Sequence, residues 1–201
     1  MPSTYDMTNR ARAAAETTER IVDTTERLLA TTPLSEVTLQ AIADGAGVTV
    51  QTVLRHMGSR DGCFEAVAQR VGRRIDAHRA SSPPGDVEAA IAGLMAHYEA
   101  DGRLILNLLA QETAQDDLAG RAAREGRAYH RAWVLRCFGP VLPTSTSDAG
   151  ASPSPDPELV DALVAATDLY VWKLVRLDLK RSAAATEATL GRMVRSLLEA
   201  P

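Results

Sequence analysis

The sequence predicts an all-α protein of about nine helices, and three observations carry that expectation. Apolar residues recur at three- and four-residue spacing along almost the whole chain. Strand-type alternation is absent, and β-branched clusters are short. Clusters of Pro, Gly and Ser, at 81–85 and 139–157, separate the apolar stripes.

In chain order, Ile21, Val22, Leu28 and Leu29 define a helix from about Glu16 to Thr31, stopped by Pro33. Thr38 caps a short helix over Leu39–Gly45, and Ala46-Gly47-Val48 makes a turn. Thr49 caps a second short helix over Val50–Met57. Gly58 ends that helix, and Ser59 caps the next, which carries Phe64, Val67, Val71 and Ile75 to about Arg79. Asp86 caps a helix bearing Val87, Ile91, Leu94, Met95 and Tyr98, expected to end near Gly102. Leu104–Ala114 is nearly all apolar, so it is expected to be buried on most sides. A longer helix is expected from about Asp117 to Phe138, ended by Gly139-Pro140. Asp156-Pro157 reads as an N-cap followed by proline at the first helical position, opening one long helix to Leu179. Ser182 caps a last helix with Leu190, Met193, Val194, Leu197 and Leu198. Residues 1–80 and 86–201 are expected as two domains, with 139–157 a mobile loop in the second.

The chain has 201 residues, enough to bury a core without covalent staples. Cys63 and Cys137 form no CxxC pair, which excludes a disulfide scaffold and a zinc ribbon. The longest run free of Asp, Glu, Lys and Arg is the eleven residues Cys137–Ser147, so no membrane-spanning helix is expected. Met1–Arg20 lacks an apolar signal-peptide core, and the chain reads as cytoplasmic. Net charge is −4, but 49–79 holds six Arg against three acids. That local excess keeps nucleic acid open as a partner, because phosphate attraction depends on the face presented.

The informative segment is Thr38–Arg60, TLQAIADGAGVTVQTVLRHMGSR. Two short helices joined by a glycine-containing turn make a helix-turn-helix pattern. Gly47 lets the chain reverse at positive φ, while Ala43 and Ala46 let the helices cross closely. Val48 and Val53 fill the angle against Ile42, which pushes the second helix outward. Such a helix suits the major groove of duplex DNA.

Here the chain resembles the TetR family of bacterial transcriptional regulators. The resemblance rests on Arg20-Ile21-Val22, Leu28-Leu29, Val37-Thr38, Ile42-Ala43, Ala46-Gly47-Val48, Thr52-Val53, His56-Met57, Ser59-Arg60-Asp61 and Phe64. It covers roughly residues 10–75; beyond them only size and helix count agree. Leu54 stands where the family usually has a phosphate-contacting tyrosine, Met57 where phenylalanine is usual, and Arg60 where lysine is usual. The resemblance implies a DNA-binding head and a helical body that binds a ligand and dimerises. By it, Gln40, Val50, Gln51 and Thr52 meet bases; Thr38, Thr49, His56 and Arg60 meet phosphates; Arg55 meets phosphate or solvent. Leu54 is placed to touch a thymine methyl, and Gln51 to pair with adenine. It further implies a homodimer through the last two helices on a palindromic operator, and a repressor released by a small effector.

Six of the eight aromatic residues follow Asp86, interleaved with polar groups. Met95, Tyr98, Gln111, Glu112, Tyr129, His130, Trp133, Asp168 and Trp172 are therefore the candidate lining of a pocket for a largely apolar molecule. The bland reading of any one of them is plain core. No P-loop, nucleophile elbow or GxGxxG is present, and His97 with Asp101, four apart, are too few to make a metal site. No enzyme, cofactor or metal is expected. The competing reading is an all-helical carrier or enzyme whose helix-turn-helix no longer binds DNA, with Leu54 as its motive.

Overall fold

The computed structural model describes residues 4–112, 118–145 and 154–199. The first helix, α1 (Thr4–Thr31), begins well before Glu16. Its early turns carry Arg10, Arg12, Ala13, Ala14 and Ala15, which have no apolar stripe to reveal them but favour helix intrinsically. A 3₁₀ turn at Leu34–Glu36 leads to α2 (Leu39–Ala46), α3 (Val50–Met57) and α4 (Arg60–Ala80). Thr38, Thr49 and Ser59 accept the N–H groups of Ala41, Thr52 and Gly62, as N-caps do. Gly47 takes the left-handed conformation at φ 66° and turns α2 into α3.

Next comes α5 (Val87–Leu109), capped by Asp86. It does not stop at Gly102, contrary to the sequence reading, but absorbs the start of the expected apolar segment at Leu104. Gly102 is there for packing. A Cβ on it would lie 2.7 Å from Cζ3 of Trp172. The bundle continues with α6 (Leu118–Phe138) and a 3₁₀ turn at Gly139–Val141. Residues 146–153 of the expected mobile loop, and Asp116-Asp117, lie outside the described residues.

Where no strand was expected, β1 (Thr144–Ser145) and β2 (Ser154–Pro155) pair antiparallel. Each is two residues long. The proline Pro155 keeps its predecessor Ser154 in the extended region, which favours this short pairing.

The single helix expected over 157–179 is broken. It comprises α7 (Pro157–Ala166), α8 (Leu169–Trp172) and a π-helical turn at Lys173–Asp178. Asp168 makes the break: its carboxylate accepts the N–H of Tyr170 at 2.8 Å and starts a new helix. The π turn closes with Leu179 N–H donating to Leu174 O at 2.8 Å. Lys180 follows at φ 54°, and Ser182 caps α9 (Ala183–Leu198).

Two apolar cores result. One gathers Ile21, Leu29, Ile42, Val53, Phe64, Val67 and Val71 from α1–α4, joined by Leu104 from α5. The other gathers Leu94 and Tyr98 of α5, Trp133 and Phe138 of α6, Leu163 of α7, Trp172 of α8, and Leu190 and Val194 of α9. α5 therefore enters both. Asn107 of α5 donates to the carbonyls of Leu29 and Thr32 at 2.7 and 2.9 Å, satisfying the end of α1.

Gly102→Ala forces the Trp172 ring out of its seat. The expected loss is about 1–3 kcal/mol, the usual effect of overpacking. Thermal melting of the variant against wild type measures it; an unchanged melting temperature would contradict the close approach.

Candidate functional site

The α2–α3 pair is built from the inside out. Ile42, Ala43 and Val53 are fully buried, so the opposite face of α3 must look outward. Gln51, Leu54 and Arg55 are exposed there, and with Val50 they line a shallow open concavity. Leu54 is 40% exposed, unusual for leucine on so short a helix. Thr49 and Thr52 share a hydroxyl contact at 3.0 Å at the start of α3. Thr38 is exposed at the start of α2, and Gln40 donates to Asp44 at 2.7 Å on the same outer face. The structure thus brings Thr49, Val50, Gln51, Thr52, Leu54 and Arg55 together on one short helix and its cap, beside Thr38 and Gln40.

Two expected phosphate partners face inward instead. The Nδ1 atom of His56 is hydrogen-bonded to the hydroxyl of Thr18 at 2.9 Å, tying α3 to α1. Arg60 donates Nε–H to Val37 O at 2.6 Å and Nη2–H to Leu34 O, with its guanidinium over the Phe64 ring. These contacts staple the segment before α2 to the start of α4. Arg70 and Arg74 are paired across helices. Arg70 meets Glu19 and Asp23 of α1. Arg74 meets Glu26 of α1 and the buried Asp101 of α5.

The proposed pocket residues divide. Met95, Tyr98, Trp133 and Trp172 do meet, as packed core. The Tyr98 hydroxyl donates to Thr167 O at 2.9 Å, and the Trp172 indole N–H donates to Glu99 at 3.0 Å. His130 stacks on Trp133 with ring centroids 5.6 Å apart. Gln111 stands at the seam between the two cores, where its side-chain oxygen accepts the N–H of Leu34. Glu112 pairs with Arg127, Tyr129 donates to Asp76, and Asp168 is the cap of α8. Gln111, Glu112 and Asp168 have local structural tasks and do not converge with the aromatic group, whereas the Tyr129 ring shares the Arg79 guanidinium with it.

The residue that sequence reasoning missed is Arg79. It lies at the end of α4 and is only 3% exposed. Its Nε–H donates to His97 Nδ1 at 3.0 Å, and its Nη1 is 3.2 Å from His130 Nδ1. The guanidinium carbon sits 4.8 Å from the Trp133 ring centre, 5.5 Å from Tyr129 and 5.7 Å from Tyr98. A signal existed: the apolar stripe Phe64, Val67, Val71, Ile75 reaches position 79 at its next step. Burial, and then the Arg79 charge, lower His97 to about 2 and His130 to about 4. Both rings are neutral acceptors toward Arg79. Burial likewise raises the thiols of Cys63 and Cys137, so neither is primed as a nucleophile. Among the described residues no three His, Cys, Asp or Glu are placed to hold a metal, and no helix is long and apolar enough to cross a membrane.

Residues 21–67 match the family model of bacterial regulatory proteins of the tetR family. The match spans the end of α1, the helix-turn-helix and the start of α4. The whole fold is similar to a TetR-family transcriptional regulator from Streptomyces coelicolor, with a TM-score of 0.68 at 20% identity, covering 98% of this chain and 96% of that one. It is also similar to a Rhodococcus sp. protein assigned to the same family, with a TM-score of 0.65 at 16% identity, covering 92% of this chain and all of that one. No curated protein sequence matches the chain.

The two depressed histidines fix a pH dependence. Unfolded, each takes up a proton near pH 6.5; folded, each resists until about 2 or 4. The unfolded state therefore binds more protons as pH falls below 6.5, and stability drops with it. The slope is at most about 1.4 kcal/mol per pH unit for each histidine. Denaturant titrations at pH 7.0 and 5.0 measure the loss. His130→Gln is expected to flatten the pH dependence between these values; an equally steep dependence in that variant refutes this origin.

Proposed function

We propose that the chain is a TetR-family transcriptional regulator, a reading supported by the family match over residues 21–67 and by the likeness of fold, and that it acts as a homodimeric repressor on a palindromic DNA operator and leaves it when a small molecule enters the body. The observation that carries this reading is the outward face of α3. Gln51, Leu54 and Arg55 are exposed on a helix whose inner face is locked by Val53. The Gln51 amide matches adenine N6 and N7, and Leu54 offers an apolar surface to a thymine methyl. Arg55 supplies a phosphate contact, supported by the N–H groups at the start of α3. With His56 and Arg60 turned inward, their share in the reading is to hold α3 and α4 in place.

The dimer is supported by apolar side chains left outside. Tyr170, Leu174 and Leu179 are each more than half exposed, and Met193 of α9 is 38% exposed. They belong to α8, the π turn, its C-terminal neighbour and α9, the end of the chain expected to pair about a two-fold axis. Two α3 helices then meet successive major grooves ~34–36 Å apart. An effector acts by preferring a different spacing of the two heads, since tight binding without such preference shifts nothing. The link between body and head is α4.

Gel retardation on the DNA upstream of the chain's own gene, at two salt concentrations, tests the reading. Gln51→Ala is expected to lose ~1–3 kcal/mol of specific binding while non-specific binding persists. Arg55→Ala should weaken all sequences alike and reduce the salt slope by about 1. Retardation indifferent to both substitutions sinks the α3 reading. Complete absence of retardation favours a carrier or enzyme with an idle head.

Leu174→Glu places a charge in the apolar end surface. A shift from dimer to monomer in sedimentation, with operator affinity down by at least about tenfold, is expected. A dimer that survives the substitution unchanged places the interface elsewhere.

A further inference from the structure

A buried guanidinium normally has a carboxylate beside it, because an ion taken out of water is costly unless paired. Arg79 is the exception here. Among the described residues no acidic side chain lies within ion-pair distance of it. The neighbouring carboxylates are turned elsewhere: Asp101 pairs with Arg74 through Oδ1, leaving Oδ2 buried without a partner, and Asp76 accepts from the Tyr129 hydroxyl. What holds the cation are two neutral imidazole nitrogens and the faces of Tyr98, Tyr129 and Trp133. Burial weakens its hold on the proton.

The surrounding rings show the same excess of donors. Since Nδ1 of His97 accepts from Arg79, its proton resides on Nε2. That Nε2–H is buried without an acceptor, and so is the indole N–H of Trp133. Three side chains in contact thus carry positive charge or unmatched N–H groups, enclosed by aromatic faces. Such a setting is complementary to an anion attached to an apolar skeleton. A carboxylate binds a guanidinium through two charge-assisted hydrogen bonds, which neutral nitrogen acceptors and ring faces cannot equal.

We propose that the small molecule received by the body is an organic carboxylate with an apolar skeleton, and that Arg79 takes its charged group. The proposal rests on the reading that the body binds an effector, and it names the effector's class. Entry of the acid exchanges the imidazole contacts of Arg79 for a bidentate pair. Arg79 sits on the last turn of α4, and its carbonyl is gripped by Arg136 Nη2 at 2.6 Å. A guanidinium drawn toward the acid therefore pulls on the helix that runs to α3.

The test uses the full-length protein and matched probes: benzoate, 1-naphthoate and decanoate, each against its own primary amide. Tryptophan fluorescence and thermal shift report binding, with Trp133 beside the guanidinium. At least one acid is expected to bind about tenfold or more tighter than its amide. Arg79→Met should erase that preference, and Arg79→Lys should restore part of it. The wild-type comparison stands even if Arg79→Met fails to fold. Acids and amides that bind alike, or not at all, overturn the proposal, as does a preference that survives in a folded Arg79→Met protein. DNA retardation of the same preparations separates the two readings. Charge-selective binding without retardation defeats the operator reading alone; retardation without charge-selective binding defeats the anion site alone.

Discussion

The contact on which the arrangement turns is the one between Arg74 and Asp101. Asp101 sits on α5 between Tyr98, which belongs to the second core, and Leu104, which belongs to the first. Its carboxylate is 1% exposed and meets Arg74 of α4. Arg74 also meets Glu26 of α1 at 2.6 Å. Three helices are therefore held at one level. A buried carboxylate without its partner typically costs about 3–5 kcal/mol, so the pairing is as much a constraint on where α4 runs as a source of stability. The hydrogen bond from Arg74 and its charge explain why that guanidinium holds its proton more firmly than usual.

The arginines of 49–79 show how charge in a sequence differs from charge on a surface. Six arginines against three acids look like a phosphate footprint. In the fold, Arg70 and Arg74 are neutralised by α1 and α5, Arg60 is taken by backbone carbonyls, and Arg79 is enclosed by rings. Arg55 and Arg73 remain exposed. The long-range field of this segment then rests on few groups.

Features governed by neighbours in sequence were legible. Thr38, Thr49, Ser59, Asp86, Asp156 and Ser182 all cap the helices assigned to them, because a cap needs only a side-chain oxygen and a backbone N–H two or three residues on. The turn at Gly47 was legible for the same reason. Features set by distant partners were not. Gly102 looks like a helix stop until the Trp172 ring is seen against it, 70 residues away in sequence. The break at Asp168 hides inside an unbroken apolar stripe, because its cause is one carboxylate choosing a nearby N–H over solvent. The aromatic set in the body was identified, but its central cation was counted only as part of a basic run. An arginine in an apolar stripe at the end of a helix reads equally well as the point where the stripe stops.

Asn107 on α5 and Gln111 just beyond its end reach to the exit of α1 and the 3₁₀ turn after it. With Arg74 on the other side, the head is clamped at two heights rather than tethered by a single strand. It cannot swivel like a bead on a string. Any rearrangement in the bundle must reach α3 as a tilt of one stiff arm. In such an arm a displacement of a fraction of an ångström near the fulcrum becomes a larger sweep at the tip.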